Sequence, residues 1–96
     1  MNSISSAVVA IERPARFGKQ LVSHMSRKNG GQWSAERNAG WIALGGHRAD
    51  VVATETSLDL RVEAPEGQLD ALEDALARHL VRFAADQELQ ITWQRS

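Results

Sequence analysis

Arg16, Gln20, Ser23 and Arg27 recur at i, i+4, i+7 and i+11. On a helix that spacing places all four within about 60° of arc, with Lys19 beside them. No acidic residue falls between Arg13 and Arg27. Guanidinium groups bind carboxylate or phosphate through paired N–H donors, and an intervening hydroxyl and amide add further contacts. The stripe is therefore a candidate site for a small anionic ligand. The structural alternative is a solvated face, or arginines paired with acids elsewhere in the chain. Nucleic acid is not the expected anion, because the chain is net acidic and one stripe offers few phosphate contacts.

The histidines are His24, His47 and His79. None has the close spacing of a helical metal site, and there is no cysteine, so no metal site is expected. His24 falls in phase with Phe17 and Leu21, and His79 flanks the Leu72, Leu76 and Phe83 face of a second helical segment. If both helices pack on one sheet face, the two imidazoles can meet and act as acid and base. That is the enzyme alternative. No G-x-S-x-G, P-loop or G-x-G-x-x-G sequence is present. Asp70, Glu73 and Asp74 crowd the start of a helix, where the macrodipole already accounts for them. No catalytic residue is assigned, and the cofactor is left open.

These side chains need elements to position them. Ser6 to Ile11 is a short β-branched run and reads as a strand. Pro14 fits the first turn of a helix that runs to about Asn29 and stops at Gly30-Gly31. Strands are expected over Gln32–Glu36, with Trp33 and Ala35 on one face, then over Trp41–Leu44, Arg48–Thr54 and Ser57–Ala64. Gly45-Gly46 is a tight hairpin signal. Leu58, Leu60, Val62 and Ala64 alternate with polar residues, which marks a half-buried antiparallel strand. Residues 66–86 read as a helix with Leu69, Leu72, Leu76, Leu80 and Phe83 on one face. Leu89, Ile91 and Trp93 alternate in a last strand. The order β-α-β-β-β-β-α-β argues an α+β fold. Both helices are expected on one face of an antiparallel-rich sheet, a two-layer sandwich.

Trp33 and Trp93 fall in phase with core residues, whereas Trp41 points opposite to Ile42 and Leu44. Trp41 is thus expected on the helix-free sheet face with Val8, Ala10 and Val52, while Asp59, Arg61 and Glu63 keep part of it wet. Such a face suits a homodimer contact ahead of a ligand.

Ninety-six residues make one domain, 1–96. With 43% apolar and 24% charged residues the chain is globular rather than disordered. The absence of cysteine excludes a disulfide scaffold. No apolar run approaches a membrane span, and Met1 to Ile11 lacks the features of a secretory leader, so a cytoplasmic location without membrane contact is expected. Net charge is −1, but residues 1–48 carry seven cations against two carboxylates and residues 49–96 four against ten. The split marks either an anion-binding half or two halves that attract each other.

The stretch Glu12-Arg13-Pro14-Ala15-Arg16-Phe17-Gly18-Lys19-Gln20-Leu21, followed by Ser23-His24 and Arg27-Lys28, resembles the opening block of a bacterial family, domain of unknown function 2218 (DUF2218). The closing block, Glu73, Leu76, Arg78-His79-Leu80, Arg82-Phe83, Glu88-Leu89 and Trp93, is similar as well. The resemblance spans essentially the whole chain, with divergent middle strands. It implies no activity. Similar domains occur joined to flavin-dependent siderophore-interacting reductases, so the resemblance implies an association with iron acquisition, although this chain carries no reductase portion.

The expectation is a non-catalytic binding or accessory domain, linked through that resemblance to iron–siderophore handling. The ligand-binding candidates are Arg16, Lys19, Gln20, Ser23, His24, Arg27 and His79, with Trp41 at an interface. The alternatives are a small enzyme using His24 and His79, or a structural dimer module.

Overall fold

A computed structural model describes residues 2–96, apart from the Lys28 side chain. Met1, where the leader reading begins, and the Lys28 side chain of the opening block lie outside the described residues. The chain runs β1 (Asn2–Ala10), α1 (Pro14–Asn29), β2 (Gly31–Ser34), β3 (Ala39–Leu44), β4 (His47–Ala53), β5 (Ser57–Pro65), α2 (Glu66–Phe83) and β6 (Gln94–Arg95). The strands form one antiparallel sheet in the order β2-β3-β4-β5-β1-β6. Both helices lie on one face, α1 over β2 to β5 and α2 over β5 and β1. This is the α+β sandwich that the pattern of strands and helices implies.

Local sequence explains where the elements begin and end. Arg13 adopts a left-handed conformation, φ 55°, and turns the chain from β1 into α1. Its carbonyl accepts the amides of Arg16 at 3.1 Å and Phe17 at 3.3 Å, and Pro14, which has no amide to satisfy, opens the helix. Gly45 and Gly46, with φ 55° and 83°, supply the two positive angles of a type I′ hairpin between β3 and β4. Helix α2 carries Glu66 in its first turn and Arg82 in its last, both favourable to the dipole.

The core lies between the sheet and the helices. Leu58, Leu60, Val62 and Ala64 of β5 are fully buried, together with Ala49 and Val51 of β4 and Ile42 of β3. From the helices come Leu21 and Val22 of α1 and Leu69, Leu76 and Leu80 of α2. Strand alternation leaves the other sheet face to solvent.

Several boundaries differ from the sequence reading. β1 begins four residues earlier than Ser6, because the buried Ser5 hides the apolar alternation. β2 ends at Ser34, so Ala35 lies exposed in the turn over residues 35–38 and does not share a face with Trp33. α2 stops at Phe83 rather than residue 86. The expected strand over Leu89 to Trp93 does not form. Those side chains pack against the core, but only Gln94 and Arg95 pair with β1, opposite Ser6 and Ser5. Alternation reports which side chains face the core, and it carries no information about a hydrogen-bonding partner. His24, in phase with Phe17 and Leu21, is nonetheless exposed. Among the described residues no helix is long and apolar enough to cross a membrane.

Candidate functional site

The helix-free sheet face carries a shallow cleft of about 720 Å³, within the usual range of ligand sites. Antiparallel register builds its floor in rows. One row runs Gln32, Trp41, Asp50, Arg61 and Ser6 across five strands. The next runs Ser34, Ala39, Val52, Asp59 and Val8. Trp41 therefore faces this side, as its phase against Ile42 and Leu44 requires, while Trp33 and Trp93 pack against the core. Val8 and Val52 remain 70% and 42% exposed, so apolar surface is left uncovered here.

Arg48 is fixed at one end of the cleft. Its guanidinium carbon sits over the Trp41 ring, 5.3 Å from the centroid, a cation–π arrangement. Its Nε donates to Asp50 Oδ1 at 3.0 Å. Arg37, from the 35–38 turn, and Arg61 also line the cleft. Among the described residues Arg61 makes no ion pair. Sequence reasoning placed Trp41 and Arg61 on this face but missed Arg48 and Asp50 as neighbours of Trp41. The polar residues alternating with the core positions of β4 and β5 were the available signal.

The helical candidates lie elsewhere. Arg16, Lys19, Gln20, Ser23 and Arg27 are all exposed on α1, and none lines the cleft. Arg16 and Arg27 are about 16 Å apart along the axis at 1.5 Å per residue. Neither pairs with a described carboxylate. Among the described residues only the Arg13–Asp86 ion pair, at 3.9 Å, joins distant parts of the basic and acidic halves, and both side chains are exposed. We expect an Arg16→Ala, Arg27→Ala double variant to shift unliganded stability by no more than about 1 kcal/mol, about 0.5 kcal/mol for each surface substitution. A clear drop in its urea midpoint would show that the stripe holds the fold together.

His24 and His79 do meet. Their ring centroids are 5.3 Å apart, and Phe83 packs edge-on to His24 with centroids 5.2 Å apart. His79 Nδ1 lies 2.7 Å from the Ala75 carbonyl. A carbonyl only accepts, so Nδ1 carries the proton and Nε2 of the neutral ring keeps a lone pair. Among the described residues no group of three or more His, Cys, Asp and Glu could hold a metal ion. Neither imidazole lines the cleft.

The sequence matches, over residues 6–94, the family described as "Uncharacterized protein conserved in bacteria (DUF2218)". The chain belongs to the DUF2218 family. It is also similar to PA4090 from Pseudomonas aeruginosa, whose NMR structure superposes with a TM-score of 0.74 at 26% identity. That match covers 98% of this chain and 96% of the other. No curated protein matches the chain.

In this DUF2218 domain the opening block chiefly builds the corner between β1 and α1. Pro14, Phe17, Gly18 and Leu21 are buried, and the Gly18 backbone lies against Trp33. The closing block supplies the core residues Leu76 and Leu80, and Glu73 of a polar latch that sequence reasoning missed. The fully buried Ser5 donates its hydroxyl to Glu73 Oε2. Arg95 grips the same carboxylate with two donors, at 3.0 and 3.1 Å, and also bonds Asp70. Hydrogen bonds to Glu73 and then Asp70 raise the Arg95 pKa above its ordinary value, so the guanidinium stays charged. The latch ties the β6 end of the chain to α2. It gives Asp70 and Glu73 a structural partner in Arg95.

Proposed function

We propose that this DUF2218 domain is a non-catalytic binding module whose site is the open sheet face. The observation that carries this reading is Trp41, presented beside Arg48 within a 720 Å³ cleft. Aromatic and arginine side chains are the usual anchors of recognition surfaces, and here two independent contacts hold the arginine in place. The face combines a cleft with three arginines, Arg37, Arg48 and Arg61, which favours a small ligand over a second copy of the chain. The exposed α1 stripe offers charge without concavity. An extension to iron–siderophore handling is supported by the family resemblance alone, and it makes ferric siderophores an early group to screen.

A thermal-shift screen tests the reading. Ligand binding raises the melting temperature by mass action, by about 2.7 kcal/mol of stability at one hundred times Kd. One ligand class is expected to stabilise the wild type saturably, and Trp41→Glu to abolish that response with little change in the unliganded melt. A response that persists in Trp41→Glu but vanishes in the Arg16→Ala, Arg27→Ala variant would move the site to α1. Concentration-dependent sedimentation that Trp41→Glu abolishes, without any ligand response, would make the face a dimer contact. The enzyme reading rests on the 5.3 Å approach of His24 and His79. It requires turnover that is lost when both are replaced.

A further inference from the structure

We infer that the ligand of the open-face cleft is a neutral, polyhydroxylated molecule, a short saccharide. One sugar ring sets its C–H face against Trp41 and turns its hydroxyls to the polar side chains around it. The inference deepens the reading of that cleft as a binding site and rests on it.

Charge disfavours an ionic ligand. Arg37, Arg48 and Arg61 line the cleft with Asp50 and Asp59. Glu63 stands opposite Arg48 in the register of β4 with β5, and Asp50 stands opposite Arg61. Three cations are therefore balanced by three carboxylates, and the two signs alternate across β4 and β5. An anion on one of these guanidiniums meets a carboxylate beside it, and a cation on a carboxylate meets a guanidinium. A ligand without net charge meets neither penalty.

Hydrogen bonding then favours hydroxyls. Arg48 donates its Nε–H to Asp50 Oδ1 at 3.0 Å, which leaves Asp50 Oδ2 without a donor among the described residues. Asp59 Oδ1 accepts from Ser57 Oγ at 2.9 Å, and its Oδ2 is likewise open. Arg61 and Gln32 are exposed, and neither side chain bonds to another described residue. The cleft thus offers donors and acceptors together. A hydroxyl both donates and accepts, so neighbouring hydroxyls of one ligand can use guanidinium, amide and carboxylate at once. Each of those three groups also presents two polar atoms in one plane, which matches a pair of adjacent sugar hydroxyls.

Trp41 sets where the ring lies. Arg48 covers one side of the indole, 5.3 Å from its centroid. The indole remains partly exposed and lines the cleft. Ala39 and Val52, paired with each other one row farther from the hairpin, border the surface that Arg48 leaves uncovered. A pyranose carries C–H groups on its face and hydroxyls around its rim, so the face packs on the aromatic ring while the rim reaches the polar groups. Asp50 stands between Arg48 and Val52 on β4, at the rim of a ring so placed. Five strands at roughly 4.8 Å spacing make the floor about 19 Å wide, room for more than one sugar unit. A hydrocarbon ring would leave the carboxylates and guanidiniums of that floor without partners.

The test reads amide chemical shifts of the labelled whole chain. The probes are the neutral disaccharides cellobiose, maltose, lactose and diacetylchitobiose, with cyclohexanol as a ring that lacks the hydroxyl array. At least one disaccharide should give saturable shifts over residues 32–41, 50–52 and 59–61, and cyclohexanol should bind at least about tenfold more weakly. Trp41→Leu should lower the affinity about tenfold by removing the flat ring. Arg61→Met and Gln32→Ala should each lower it about threefold or more through a lost hydrogen bond, with unchanged unliganded melts. Glucuronate and glucosamine, which add a negative and a positive charge to the same ring, should bind no more tightly than glucose. A preference of about tenfold for either charged sugar would overturn the neutral class. No saturable shift from any disaccharide, or equal affinity for cyclohexanol, would overturn the saccharide, and a thermal-shift response to another class that Trp41→Glu abolishes would still uphold the cleft as the site. Shifts confined to residues 16–27 would overturn the placement. Shifts over residues 32–61 that grow with protein concentration and without ligand would make a second copy the occupant and overturn both readings.

Discussion

Truncating Leu76 to alanine is expected to lower the unfolding free energy by about 2–5 kcal/mol in urea melts. Leu76 is fully buried on the sheet-facing side of α2, between Leu69 and Leu80, which are equally buried. Removing its branched end deletes apolar contacts and leaves a cavity that two packed layers can only partly close. Val81, on the same helix, is 47% exposed. Val81→Ala loses little burial and gains helix propensity, so its effect should stay within about 0.5 kcal/mol. Equal losses in the two variants would mean that α2 does not face the sheet through Leu69, Leu76 and Leu80.

The contrast between those two residues was already visible in the spacing of apolar side chains along α2. So was the half-buried phase of β5, where Leu58, Leu60, Val62 and Ala64 alternate with charged neighbours. Both are local patterns, set by a helical period of 3.6 and a strand period of 2. What the chain hides is non-local. Nothing in Ser3, Ile4 or Ser5 announces that β1 lies between β5 and β6. Ser5 is a polar residue at a core position, and only the carboxylate of Glu73, 68 residues away, explains it. The approach of His24 and His79 was conditional on both helices sharing one sheet face, and they do. The cleft was half visible. Strand phase puts Trp41 on the open face, but joining it to Asp50 and Arg61 requires the register of β3, β4 and β5. The α1 stripe shows the opposite failure. Its spacing identifies a shared face correctly and carries no information about whether that face borders a concavity.

Replacing Gly40 with alanine is expected to cost about 1–3 kcal/mol, as inserting a methyl into a close-packed site does. A Cβ at residue 40 would lie 2.5 Å from the Gln32 carbonyl oxygen and 3.1 Å from the Trp33 Cα. Both are backbone atoms of β2, directly across the ladder, where Trp33 opposes Gly40. Rotating a side chain cannot relieve that contact, so β2 must move away from β3. Gly67, near the start of α2, is the control, because a Cβ there meets nothing within 4 Å. Gly67→Ala should be neutral or stabilise by up to about 1 kcal/mol through helix propensity and reduced unfolded-state freedom. The pair also bears on function. Trp41 follows Gly40 on β3, so a displaced β3 edge moves the indole away from Arg48. Gly40→Ala should therefore weaken the thermal-shift response to a ligand of the cleft as well as stability. Gly67→Ala, on the helical layer, should leave binding unchanged. A Gly40→Ala variant that melts and binds like the wild type would refute both the β2–β3 packing and the dependence of the cleft upon it.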